Sequence, residues 1–250
     1  MKYTKLSNDE LLRYDRQLII PKWEKEGQLK LKNSKVTVIG AGGLGSTVLL
    51  NLAAAGIGYI KIIDNDTLDL SNLNRQILYG MNRINEPKAI LAKKRLMELN
   101  NEIEIESINT TLDSNNAEEL LSDVDLIIDC LDNFKTRYLL NRFSVENKIP
   151  YVHGAVQSLE GRVMFIDPNE ESSPCLNCFY PEEPPEKGKP PVLGATVGIT
   201  ASVEATEAIK YIIGIGKNLI GRFLIIDGYS MEFKSITIKR NPKCEICGNG

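Results

Sequence analysis

The stretch VIGAGGLGSTVLLNLAAAGIGYIKIIDND, residues 38–66, decides how the rest of the chain is read. An apolar, β-branched run enters three glycines, Gly40, Gly42 and Gly45. A small-residue helix follows, then a second β-branched run that ends on Asp64. Each glycine has a distinct task in such a strand–turn–helix unit. The first permits the tight turn, the second lets backbone N–H groups approach a phosphate, and the third allows the helix to pack close to the strand. Asp64 stands 24 residues after Gly40, where a carboxylate can accept ribose hydroxyls. The competing reading is a glycine-rich turn kept for packing alone. If the loop does bind phosphates, they belong to NAD, FAD or ATP, and residues farther along decide which.

Outward from this stretch the same alternation continues. KVTVIG, YIKIID, IEIESIN, VDLIIDCLD and PYVHGAV read as buried strands. Between them, helical periodicity runs through LGSTVLLNLAAAGI, NEPKAILAKKRLMELN, AEELLSD and KTRYLLNRFSVENK. Strand–helix alternation over residues 35–156 predicts an α/β fold, a doubly wound, Rossmann-like and mostly parallel sheet. RFLIIDGYS and EFKSITIKR predict a closing antiparallel extension, and VGITASVEATEAIKYII the helix before it. Seven of the 11 prolines fall between Pro168 and Pro191, so this part reads as a long mobile loop. SNDELLRYDRQLI predicts one short helix that begins at Ser7. The chain therefore reads as a single domain over 1–250. It comprises an N-terminal helical segment (1–34), a nucleotide-binding core (35–167), a mobile crossover loop (168–194) and a C-terminal part (195–250).

Composition narrows the classes. Hydrophobic residues make up 42% and charged residues 25%, with a formal net charge of −3. This balance argues against a nucleic-acid partner, which calls for a basic footprint. No apolar run reaches the roughly 18–20 residues of a membrane span, and the charged N-terminus has no signal-peptide core. The expectation is a cytoplasmic protein.

Arg75 and Lys88 follow the acidic strand end closely. A triphosphate and a departing pyrophosphate need such cations, though two surface charges would look the same in sequence. Asp129 and Asp132 close a strand at the carboxyl edge of the sheet, where such folds bind ligands. Asp132 suits Mg²⁺ and equally suits a helix N-cap. Cys175, Cys178, Cys244 and Cys247 form two CxxC pairs, a four-thiolate set suited to a closed structural Zn²⁺ site; redox pairs or disulfides are the alternative. Cys130 reads as a core thiol. His153, the only histidine, reads as an ordinary strand-end residue.

The motifs RYDRQ, GAGGLGS, DNDTLDLSNLNRQ, NEPK, DCLDN, CLNC and NPKCEICG stand in this order over nearly the whole chain. In them the sequence resembles the ubiquitin-activating-enzyme superfamily. Within that superfamily it resembles the ThiF/MoeB/HesA group of sulfur-carrier adenylyltransferases, nearest the molybdopterin-synthase type with the thiamine-pathway type close behind. The resemblance implies that ATP activates the C-terminal carboxylate of a small ubiquitin-like carrier ending in Gly-Gly, with release of pyrophosphate. It also implies that Asp64 binds the ribose and that Gly42 and Gly43 approach the phosphates. Asn72, Arg75, Lys88 and Asn133 would complete the nucleotide site, with Asp132 positioning Mg²⁺. Arg16 would reach the phosphates from the other subunit of a homodimer. Many relatives carry a cysteine in the stretch after the first CxxC pair; here the aligned position falls near Lys187, and no cysteine lies between Cys178 and Cys244. The expectation is therefore an enzyme that stops at the acyl-adenylate and leaves sulfur to a separate sulfurtransferase. An NAD- or FAD-dependent oxidoreductase, and a non-catalytic nucleotide-sensing module that binds a partner protein, remain as alternatives.

Overall fold

The computed structural model describes residues 3–182, 184, 188 and 190–248. In chain order the elements are α1 (Asn8–Arg13), α2 (Asp15–Leu18), α3 (Glu24–Lys32), β1 (Lys35–Ile39), α4 (Gly43–Ala55), β2 (Tyr59–Ile63), α5 (Lys88–Leu99) and β3 (Glu104–Ile108). They continue with α6 (Ala117–Leu121), β4 (Leu126–Asp129), α7 (Phe134–Asn147), β5 (Tyr151–Gln157), β6 (Glu160–Ile166), α8 (Leu176–Phe179), α9 (Gly194–Ile213), β7 (Arg222–Asp227) and β8 (Glu232–Thr237). One eight-stranded sheet runs β3-β2-β1-β4-β5-β6-β7-β8. β3 through β5 are parallel, and β6 through β8 join antiparallel.

Alternation along the strands sends successive side chains to opposite faces. Val36, Val38, Ile60, Ile62, Ile128 and Val152 point to the face covered by α4, α5 and α9. Ile39, Ile63, Ile127, Tyr151 and Met164 point to the face covered by α6, α7 and α8. Strand order reverses between β2-β1 and β4-β5, so β1 and β4 flank the switch point where such sheets bind ligands.

The predicted mostly parallel sheet with an antiparallel C-terminal extension is present. Several local expectations change. The single N-terminal helix is two, because Tyr14 turns inward: its buried ring lies where a Cβ on Gly56 would fall 2.5 Å from its hydroxyl, and Asn100 Nδ2 donates to that hydroxyl at 2.9 Å. Ser7 does open α1, in a reciprocal cap with Glu10. α3 is polar in sequence but is anchored by the fully buried Gln28, which donates to Ala55 O at 2.8 Å. β6 is also an addition; it pairs with β5 through a two-residue turn at Ser158, whose φ is 58°.

The expected mobile loop at 168–194 is anchored through its first part. Cys175 and Leu176 are buried, α8 interrupts the loop, and Phe179 stacks on Phe223 with ring centroids 4.1 Å apart. Aromatic burial outweighs the local proline content there. Leu193 N donates to Ser158 O at 3.1 Å, and α9 begins at Gly194. The expectation attached to Lys187 lies outside the described residues.

Candidate functional site

The glycine loop links β1 to α4, and the glycines differ in what surrounds them. Gly40 has φ +93°, and a Cβ there would fall 2.7 Å from Cys130 O. A Cβ on Gly45 would fall 2.0 Å from Gly40 O. Both are required by backbone contact. A Cβ on Gly42 would meet only Gln76 Nε2, at 3.6 Å, so the backbone there faces open space beside the first turn of α4. Gly42, the N-cap of α4, thus leaves the positive end of the helix accessible, the geometry that an anion site needs.

Arg75 reaches this loop. A Cβ on Gly43 would lie 3.6 Å from both Arg75 Cγ and Cδ, so the arginine stem folds over the loop, with its Nη1 donating to Ser71 O at 3.0 Å and Asn74 Oδ1 at 2.9 Å. Asn72 sits one turn earlier, where its Oδ1 accepts from Asp69 N. Asp64, at the end of β2, accepts from Ala41 N at 2.7 Å and from Asp66 N at 2.8 Å. Burial raises its pKa, and these two N–H bonds and Lys88 oppose the rise. Lys88 begins α5, is 4% exposed, and donates to Asp66 Oδ2 at 2.9 Å. Asp132 and Asn133 follow β4 after Cys130 and Leu131, whose backbone lies against Gly40. Asn133, not Asp132, caps α7: its Oδ1 accepts from Thr136 N at 2.9 Å. The Asp132 carboxylate is exposed and accepts no hydrogen bond among the described residues.

One expected residue stands apart. Arg16 is exposed on α2, whose neighbouring Gln17 donates to Ala55 O at 3.0 Å. That holds α2 at the C-terminal end of α4, about 18 Å of helix from Gly43. Arg16 does not reach the glycine loop of its own chain.

Residues not singled out from sequence also line this edge. Tyr79 donates to Ala41 O at 2.7 Å, and the buried Gln76 has an unpartnered Oε1. Gln76 directly follows Arg75 in the SNLNRQ stretch, the one signal that pointed to it. Asp129 is not a surface ligand: it is fully buried and bonded to Tyr151 and His153. His153 is accordingly a fully buried core residue inside β5 and not a strand-end residue.

The four paired cysteines converge far along the chain. Cys175 Sγ lies 3.6 Å from Cys244 Sγ, Cys178 Sγ lies 3.4 Å from Cys247 Sγ, and all four sulfurs lie within 4.8 Å of one another. None is in a disulfide. A tetrahedron of Zn–S bonds near 2.3 Å has sulfur–sulfur edges of about 3.8 Å, so this set fits a metal ion. A hydrogen bond from Cys175 lowers the pKa of the Cys178 thiol. Cys130 lies one residue past β4, buried, and burial pushes its thiol well up. No helix among the described residues is long and apolar enough to cross a membrane.

Known proteins are similar to this chain in sequence and in fold. The chain is 42% identical to the sulfur carrier protein adenylyltransferase of Thermus thermophilus, over all of this chain and 94% of that one. It is also 42% identical to the adenylyltransferase and sulfurtransferase MOCS3 of Drosophila persimilis, where it covers 98% of this chain but spans 55% of that protein's length. In structure it superposes on E. coli MccB solved with ATP, at a TM-score of 0.84 and 25% identity over 95% of this chain and 75% of MccB. PaaA superposes at 0.80, again 25% identical, over 96% of this chain and 77% of PaaA. Residues 14–246 match the ThiF family. The glycine loop, the cations around it and these matches agree: the chain belongs to the ThiF family and is an enzyme of the nucleotidyltransferase type.

Proposed function

We propose that the protein uses ATP to adenylate the C-terminal carboxylate of a small ubiquitin-like sulfur carrier ending in Gly-Gly, of the molybdopterin or thiamine type. The observation that carries this reading is Arg75 folded over Gly43, beside the open backbone of Gly42. A dinucleotide's pyrophosphate stays intact and needs little beyond the helix end. A triphosphate that loses pyrophosphate develops charge that a nearby guanidinium offsets. In the step itself, a carrier carboxylate oxygen attacks the α-phosphorus, the bond to the β-phosphate bridging oxygen breaks, and pyrophosphate leaves with the electron pair. Asp64 would take the ribose hydroxyls, Gly42 and Gly43 N–H groups the phosphates, and Asn72, Arg75, Lys88 and Asn133 would complete the site. Asp132 would hold Mg²⁺, which supplies positive charge to the phosphates.

The distance of Arg16 from its own glycine loop supports a homodimer in which Arg16 serves the partner's site. Four gathered thiols support one structural Zn²⁺ on Cys175, Cys178, Cys244 and Cys247. With those four committed and Cys130 buried, this chain would stop at the acyl-adenylate and leave sulfur transfer to a separate sulfurtransferase.

The test is ATP–pyrophosphate exchange measured against each small Gly-Gly-ending protein of the source organism. One such protein should support Mg²⁺-dependent exchange, and Arg75→Ala should reduce it on the order of 10²-fold. Tight NAD binding without carrier-dependent exchange would overturn the reading. Mixing Arg16→Ala with Lys88→Ala chains should restore part of the activity, since one site of the mixed dimer regains both side chains.

A further inference from the structure

The connection between β4 and α7 runs through Cys130, Leu131, Asp132 and Asn133, and it is held from behind by groups the proposed reaction does not use. Asp129 Oδ1 accepts from Leu131 N at 2.9 Å. Arg137, on the first turn of α7, donates through Nη2 to Leu131 O and, at 2.9 Å, to Gly154 O on β5. The two side chains pair directly, Arg137 Nε to Asp129 Oδ2 at 3.2 Å, with 6% and 0% of their surface exposed. Tyr151 OH and His153 Nδ1 lie 2.7 and 2.8 Å from the same Asp129 Oδ2. The Arg137 guanidinium also stacks 5.3 Å from the Phe134 ring centroid.

One consequence is specific to position 132. Leu131 has both its backbone N–H and its C=O fixed by the buried pair. Asn133 has its side chain fixed as the cap of α7. Asp132, between them, is the member of the turn whose carboxylate has no partner among the described residues. A buried ion pair is a poor device for stability alone, since desolvation consumes most of the attraction. It is a good device for fixing backbone geometry.

We propose that the Asp129–Arg137 pair is a positioning clamp: it grips both backbone groups of Leu131 and so aims the neighbouring Asp132 carboxylate at the cation of bound Mg²⁺·ATP. This inference rests on the reading of Asp132 as the Mg²⁺ ligand. Arg137 itself touches neither nucleotide nor metal. Lysine at 137 would keep the charge against Asp129, but its single ammonium lacks the planar fork that reaches the carboxylate and two carbonyls together.

The experiment is equilibrium binding of ATP by calorimetry, with excess Mg²⁺ and with EDTA, on the wild-type protein, Arg137→Lys and Asp132→Asn. If Arg137→Lys does not fold, Asp129→Asn combined with Arg137→Gln replaces it, because that pair buries no charge. The clamp predicts that the gain in ATP affinity from Mg²⁺ falls about tenfold or more in Arg137→Lys and equally in Asp132→Asn. Affinity in EDTA should stay at the wild-type level. A merely structural pair would lower the fraction of binding-competent protein and leave that gain unchanged. If Asp132→Asn loses the gain while Arg137→Lys keeps it, the clamp is wrong and the reading of Asp132 stands. If Asp132→Asn also keeps it, the Mg²⁺ reading fails first and the clamp fails with it.

Discussion

Two fully buried acids lie on opposite faces of the sheet and are treated in opposite ways. Asp129, on the α7 face, is surrounded by Leu131 N–H, Arg137, Tyr151 and His153. Burial alone would raise its pKa, but the guanidinium, then His153 and Tyr151, overcome this and hold it below the usual carboxylate range. Glu204, on the α9 face, packs over Gly154, where a Cβ would fall 2.2 Å from its carboxyl carbon. Neither of its oxygens has a hydrogen-bond partner. Burial, and then the negative charge of Asp129, push its pKa well up, which favours its neutral form. Partners favour the charged form of the first acid, and their absence favours the neutral form of the second. Pairing lets a buried charge organise backbone around it; protonation only avoids the cost.

The largest expected effect comes from breaking the paired side. Arg137→Ala leaves Asp129 buried without its cation, and should cost about 3–5 kcal/mol of unfolding free energy in urea titrations. A loss below about 1 kcal/mol would mean that Asp129 is not ionised in the folded protein.

The next effect tests whether the two faces are separable. The cysteine cluster packs with the α7 face, since Cys175, Leu176 and Cys247 share the apolar cluster of Tyr151 and Ile127. Cys244→Ala should abolish the zinc binding proposed for this site and cost about 2–4 kcal/mol, the usual range for opening a cross-link. Amide exchange should accelerate in segments 173–180 and 238–247, with α4 and α9 little changed. Uniform acceleration on both faces would break the distinction.

The smallest effect sharpens the other side. Glu204 has a raised folded pKa, so its contribution is fully present below the unfolded carboxyl value near 4.3 and is lost as pH rises toward the folded value. Asp129 has a depressed folded pKa, so its contribution is present above about 3.9 and is lost as pH falls through the folded value. Urea midpoints of the wild-type protein should therefore decline from mildly acidic toward alkaline pH. Glu204→Gln should flatten that decline and leave the acid limb, set by Asp129, in place. An unchanged alkaline slope in Glu204→Gln would show that Glu204 finds a partner in solution.

Much of the candidate site was legible in sequence because it depends on local spacing. Gly40, Gly42 and Gly45, the acid at Asp64 and the two CxxC pairs stand at separations that only a few structures use. Arg75 was legible as a cation, but not as one lying over Gly43, because that contact needs the turn at Leu70–Asn72 to fold back on the loop. In sequence Asp132 suits a metal ligand and a helix cap alike. The backbone removes the cap by starting α7 one residue later, which gives it to Asn133. α3 and β6 escaped because neither carries its own periodicity: one is organised around the single buried amide of Gln28, the other by pairing with β5.

By itself, the sequence determined the alternating α/β core, the glycine loop at the end of β1 and the thiols able to hold a metal. These follow from period, residue size and donor type, all properties of neighbours in the chain. Only the tertiary structure decided that Asp129 belongs to Arg137 and His153, that Glu204 has no partner, and that Arg16 lies a helix length from its own loop. Those outcomes depend on which side chains share a buried space after the sheet has closed. Residues 129, 137 and 153 meet on one face of the sheet from three different elements, and residue 204 is buried on the other face from a fourth, so no local pattern encodes these outcomes.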